Sequence, residues 1–201
     1  MARINILSTC LAGAAALALS ACAESNDTLS STFASVKFWR ITKTAEESYP
    51  HLPPVEARKQ FVRDKYREAV APLQTDEERQ ALAASIYMGF SMLNGRAIPA
   101  YCGEMNVDAS AFEKGFRRQN RRLESALGRV LEAHGVTIEE AWARQERFAM
   151  AAAKAELMNA GGHIGSHSVC TKLKEQPHLF LTKAHFTQEF PEIAQTLRAA
   201  P

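Results

Sequence analysis

Net charge is almost absent from this chain: 24 Lys and Arg stand against 22 Asp and Glu over 201 residues, a formal +2. A balance so close to zero removes the electrostatic case for a nucleic-acid binder. Glycine (10) and proline (8) are sparse, which excludes collagen-like and low-complexity chains and leaves few residues to break long elements. Membrane-spanning runs are missing as well. The best stretch in the body, residues 82–93, has 12 residues including two serines, where about 20 apolar residues are needed to span a bilayer. Also absent are Gly-x-Ser-x-Gly, His-Glu-x-x-His, Ser-x-x-Lys, a phosphate loop and a haem-attachment pattern. Their absence leans the chain away from catalysis.

What is present begins at the N-terminus. Arg3 precedes an apolar run of 14 residues, 6–19, and small residues follow it. That is the layout of a secretory leader, and the run is too short to cross a membrane. It closes on Leu19-Ser20-Ala21-Cys22, which resembles the lipobox of bacterial lipoproteins. The resemblance covers residues 1–22 only. It implies that Cys22 carries a diacylglyceryl group on its thiol, that cleavage falls just before it, and that its new amine is acylated. One acyl chain anchors marginally, at about 0.8 kcal/mol per buried methylene, and two or three on one residue anchor firmly. Ala23 stands where an aspartate would resemble an inner-membrane retention signal. The resemblance therefore implies the outer membrane, with a periplasmic body; surface exposure stays open.

Domain organisation follows: a signal peptide at 1–21, a lipidated cysteine with a polar tether at 22–32, and one domain at 33–201. Removing residues 1–21 leaves 201 − 21 = 180 residues and a charge of 23 − 22 = +1, enough chain for a core. With Cys22 assigned to lipid, the body holds two cysteines, Cys102 and Cys170. In an oxidising compartment they are expected to pair, which requires Cα atoms closer than about 7 Å. Two buried free thiols are the plain alternative, and a redox pair lacks the Cys-x-x-Cys spacing.

The expected fold is all-α, an irregular bundle of about six or seven helices. Residues 33–44 fit helix or strand, with helix narrowly favoured. Pro53-Pro54 suits a helix start, and Val55, Phe61, Val62, Tyr66 and Val70 recur at helical spacing. Thr75…Glu78 and Thr137…Glu140 each read as a capping box. The first opens a helix carrying Leu82, Ile86, Phe90 and Leu93, expected to stop at Asn94-Gly95. Asp108 is expected to cap the strongest helix, whose stripe is Phe112, Phe116, Leu123, Leu127, Val130 and Leu131, ending at His134-Gly135. Alanines 149, 151–153 and 155 invite a close neighbour, and Gly161-Gly162 ends that helix. Both cysteines follow a helix end and a glycine-bearing turn, suggesting a bridge between two loops.

Two stretches could carry chemistry. His163 and His167 lie four apart with Cys170 three further on, a spacing that could ligate zinc on a helix. Glycines 161, 162 and 165 argue for a polar turn instead, and the disulfide would consume Cys170. No metal, cofactor or catalytic residue is therefore assigned. Arg117, Arg118, Arg121 and Arg122, with Lys114 and Arg129, fall opposite the apolar stripe. Such a face is a solvated helix surface or a docking patch for an anionic partner (an acidic protein, lipopolysaccharide or a phosphorylated polymer), for which the arginine fork suits better than lysine. The expectation for the whole is a non-catalytic protein-binding lipoprotein: an antagonist, an immunity factor or an assembly component of the envelope. Its partners would be the membrane, through the lipid, and an envelope protein, with no nucleic acid. The alternatives are a small-ligand or metal-binding lipoprotein and an envelope enzyme such as a cell-wall hydrolase.

Overall fold

The computed structural model describes residues 43–200. The expected leader at 1–21, Cys22, the expected tether and residues 33–42 lie outside the described residues. The protein is an all-α, irregular bundle, with no strand among the described residues, and it is bridged by a disulfide. No helix among them is long and apolar enough to cross a membrane.

Residues 43–48 are helical. Helix α1 (Pro54–Val70) starts on the proline pair: Pro53 has φ −57° and ψ 148°, and Pro54 fills the first turn, where a missing N–H costs nothing. Helix α2 (Asp76–Met92) opens on the first capping box. The Glu78 amide donates to Thr75 Oγ1 at 3.2 Å, and Glu78 Oε2 accepts from the Thr75 amide at 3.0 Å and the Gln74 amide at 2.9 Å. The second box repeats this at Thr137 and Glu140, at 3.1 and 2.8 Å.

The chain does not stop at Asn94-Gly95. It runs on through a π-helical turn, Leu93–Ala97, into α3 (Ile98–Glu104). Two local facts explain this. Pro99 has no N–H for an ordinary helical bond, and a widened turn, in which the Ile98 amide donates to Leu93 O, absorbs the irregularity. Gly95 is buried for a different reason: a β-carbon there would lie 2.8 Å from Cε1 of Phe116. The glycine admits an aromatic ring and does not end a helix. The real stop is Asn106 at φ +59°, with the Asn106 amide on Gly103 O and the Val107 amide on Cys102 O.

Helix α4 (Ser110–Ala133) begins two residues beyond Asp108, whose Oδ1 accepts from the Ser110 amide at 2.9 Å. Its end closes as expected: Gly135, at φ +71°, donates to Glu132 O, and Val136 donates to Leu131 O. Helix α5 (Ile138–Gly161) buries Ala149, Ala151, Ala152, Ala153 and Ala155, small side chains that let α6 (Gly165–Glu175) pack closely. Three short pieces complete the chain: α7 (Pro177–Lys183), α8 (Phe186–Glu189) and α9 (Pro191–Arg198).

Two cores share α4. Phe112 and Phe116 pack with α3, α5 and α6 residues such as Ile98, Ala153, Leu157 and Leu173. About two to four turns beyond Phe116, Leu123, Ala126, Leu127 and Val130 pack with Tyr66, Ile86, Phe186, Ile193 and Leu197. Phe90 joins the two, its ring centroid 5.8 Å from Phe116 and 5.0 Å from Phe186. Cys102 and Cys170 are bridged at a Cα separation of 5.5 Å and are fully buried. Both cysteines sit inside helices, α3 and α6, so the bridge staples two helices together and does not join loops. Pro99 and Gly165, at φ +73°, each restart a helix before its cysteine.

Candidate functional site: an arginine face and cleft on α4

The 3.6-residue period sends two sets of α4 side chains in opposite directions. Phe112, Phe116, Leu123 and Leu127 are at most 2% exposed, whereas Lys114, Arg117, Arg118, Arg121 and Arg122 all lie on the surface. Burial of the stripe fixes the orientation of the cations. Lys114, Arg118 and Arg122 fall in one i, i+4 row, and Arg117 and Arg121 in another. Like charges at that spacing cost roughly 0.2–0.5 kcal/mol per pair.

Several cations elsewhere meet an acid. Arg58 pairs with Glu156 at 2.8 Å, Lys59 with Glu189 at 2.6 Å, and Arg67 with Glu192 at 2.8 Å. Arg96 grips Glu139 through both terminal nitrogens, at 2.7 and 2.6 Å, with its guanidinium 5.5 Å from the Trp142 ring centre. That fork holds the Glu139 carboxyl below its ordinary range. On the α4 face Arg117 is so matched, to Glu113 at 2.9 Å. Among the described residues, Arg118, Arg121 and Arg122 have no ion pair within 4.0 Å. Arg129, grouped with them by sequence, serves another purpose: its Nη2 donates to Ala200 O at 3.0 Å and pins the C-terminal backbone.

The three arginines border a cleft of about 250 Å³, lined also by Gln119, Asn120, Leu123 and Arg198. Arg198 comes from α9, 76 positions after Arg122 in the sequence. Its Nη2 donates to Thr187 Oγ1 at 2.9 Å, which braces the guanidinium. Sequence reading missed Arg198, because only the packing of α9 on α4 brings it there. Gln119 donates to Leu181 O at 3.2 Å and to Ala184 O at 3.1 Å, locking the chain after α7 onto the same helix. Asn120 is 2% exposed; its Nδ2 donates to Phe116 O at 3.1 Å, and its Oδ1 has no partner.

A second polar cluster also escaped the sequence. Glu124 turns inward from α4, accepting from Tyr87 Oη at 2.8 Å and from Ser91 Oγ. Burial first, and the Glu124 charge second, push the Tyr87 phenol far above its ordinary range. The cluster ties α2 to α4 in the interior. The remaining sequence candidates stay apart. His163 lies in the 3₁₀ turn Gly162–Ile164 and His167 in the first turn of α6, both exposed, while Cys170 is in the disulfide. Among the described residues no group of three or more His, Cys, Asp or Glu side chains is placed to hold a metal ion.

The chain matches no family model, no curated protein and no solved structure.

Proposed function

We propose that this protein is a lipid-anchored, non-catalytic binding module of the bacterial envelope, and that it docks an anionic envelope protein through the arginine face of α4. Cys22 is the anchor, the outer membrane the location, and the periplasm the compartment of the body. An antagonist, an immunity factor or an assembly component would each work this way. The observation that carries the reading is the set Arg118, Arg121 and Arg122: exposed, adjacent on one helix, and without an ion-pair partner among the described residues. Keeping like charges side by side costs stability, and a partner's carboxylates offset that cost by bidentate pairing. Rim charges of this kind mainly raise the association rate and make it salt-dependent.

The test is cross-linking and co-purification of the tagged full chain from intact envelopes. Capture should fall strongly in Arg118→Glu/Arg121→Glu, while stability stays within about 1 kcal/mol, as for exposed sites. A Cys22→Ser chain should appear as uncleaved precursor or as soluble protein. Undiminished capture by the double variant refutes the docking face. Normal maturation and micelle partition of Cys22→Ser refute the anchor, and turnover of a cell-wall substrate by the pure protein refutes the non-catalytic reading.

A further inference from the structure

We infer that the cleft between α4 and α9 is a binding site for a phosphate monoester, with Arg118, Arg121, Arg122 and Arg198 as its ligands. The cleft shares Arg118, Arg121 and Arg122 with the proposed docking face but adds Arg198, so an Arg198→Gln chain that loses phosphate binding and still captures protein separates the two readings.

Size and charge together select the ligand. A cleft of about 250 Å³ lies below the roughly 300–1,000 Å³ of sites that engulf a drug-sized molecule. At about 30 Å³ per water, it holds some eight waters or one compact polar group. Four of the seven lining residues are arginines, and no Asp or Glu is among them. A single carboxylate would cancel one charge of four. A phosphate monoester brings about −1.5 to −2 charges at neutral pH and three acceptor oxygens in the same volume. Arginine forks match it in pairs.

The construction is also more than a charged helix surface. Arg198 reaches the cleft from a different helix and is braced by Thr187. Asn120, nearly fully buried in the same wall, keeps an acceptor without a partner. The two sources of this chemistry are a soluble sugar phosphate and a phosphate-bearing lipid headgroup.

The experiment uses the full chain purified in neutral detergent. Binding of glucose 6-phosphate, inorganic phosphate and acetate is measured by calorimetry. The expected order is glucose 6-phosphate and phosphate at least tenfold tighter than acetate. Affinity for glucose 6-phosphate should rise between pH 5 and pH 7.5, because the second phosphate proton leaves near pH 6 while arginine stays charged. Arg122→Gln and Arg198→Gln, both at exposed positions, should each lose about tenfold or more with unchanged thermal unfolding. Arg144→Gln, an exposed cation on α5, should lose less than twofold. Absence of phosphate binding, equal binding of acetate, or an equal loss in Arg144→Gln overturns the site. Doping the micelles with short-chain phosphatidic acid assigns the source. Tighter binding there than to the sugar phosphate at equal phosphate names a lipid headgroup, and the reverse names a soluble ligand; both uphold the phosphate site.

Discussion

Replacing Gly95 by alanine tests whether the glycine is placed to admit the Phe116 ring. In an ordinary helix interior the exchange is favourable by roughly 0.5–1 kcal/mol, because alanine loses less backbone entropy. Here an added β-carbon would sit 2.8 Å from Cε1 and 2.9 Å from Cδ1 of Phe116. Carbon–carbon contacts are comfortable at about 3.5–4.0 Å, so the ring must retreat by roughly 0.7 Å. It has little room, being fully buried between Phe90 at 5.8 Å and Phe112 at 6.3 Å between centroids. Overpacking of this kind costs about 1–3 kcal/mol. Against the propensity gain, Gly95→Ala should destabilise by about 1–2 kcal/mol, or roughly 2–8 °C in Tm for a domain of this size. The check is a double-mutant cycle by urea unfolding. Phe116→Leu alone should cost about 1–2 kcal/mol, mostly lost ring packing. In that background the clash disappears, so Gly95→Ala should become neutral or stabilising, a coupling of about 2 kcal/mol. A stabilising Gly95→Ala in the natural background would refute the account of Gly95 as the seat of the Phe116 ring.

Two further outcomes follow from the same packing. Removing the Cys102–Cys170 bridge in a double Ala variant opens a loop of 69 residues (a separation of 68 plus one) and should cost roughly 4 kcal/mol by the chain-entropy model. A urea-unfolding loss under about 1 kcal/mol would show that α3 and α6 hold together without it. Acid should also destabilise the fold. The backbone amides at each cap hold Glu78 and Glu140 below their ordinary 4.5, and the Tyr49 hydroxyl, donating at 2.5 Å, holds Asp64 below 3.8. The unfolded chain thus binds protons before the folded one does, so this contribution is complete above about pH 4.5 and is lost as pH falls through the lower folded values. Urea midpoints at pH 6 and pH 3 should converge in Glu78→Gln/Glu140→Gln, which keeps both cap acceptors but cannot titrate there; an unaltered pH slope would remove the caps from the explanation.

The sequence was legible where the physics is local. A capping box is a relation between residues three apart, so Thr75 with Glu78 and Thr137 with Glu140 could be read directly and occur as read. The α4 stripe is a period, and periods survive without neighbours. The disulfide followed from there being two cysteines in the body. What could not be read depends on residues brought together by packing. Gly95 looked like a stop because its reason, the Phe116 ring, lies 21 positions away. Arg198 and Arg122 meet only through α9, and the inward turn of Glu124 depends on Tyr87, 37 positions away. Arg129 looked like part of the face until the C-terminus proved to be its partner.

That same helix explains how a costly charge arrangement can persist in a near-neutral protein. Isolated, α4 would carry Lys114, Arg118 and Arg122 in a repelling row with nothing to oppose fraying. In the folded chain its other face supplies Phe112 and Phe116 to one core and Leu123 and Leu127 to the other. Burial of each such side chain contributes about 1.5–3 kcal/mol, several times the repulsion between neighbouring cations. Because both cores grip the one helix, the cations cannot relieve their repulsion by turning it. The Gln119 bonds to Leu181 O and Ala184 O and the Arg129 bond to Ala200 O fix the flanking chain against it. An anion therefore meets guanidinium groups whose backbone is already ordered, and binding spends little on arranging them. Loosening one core, as by Leu127→Ala, should then weaken anion binding at a cleft the substitution never touches.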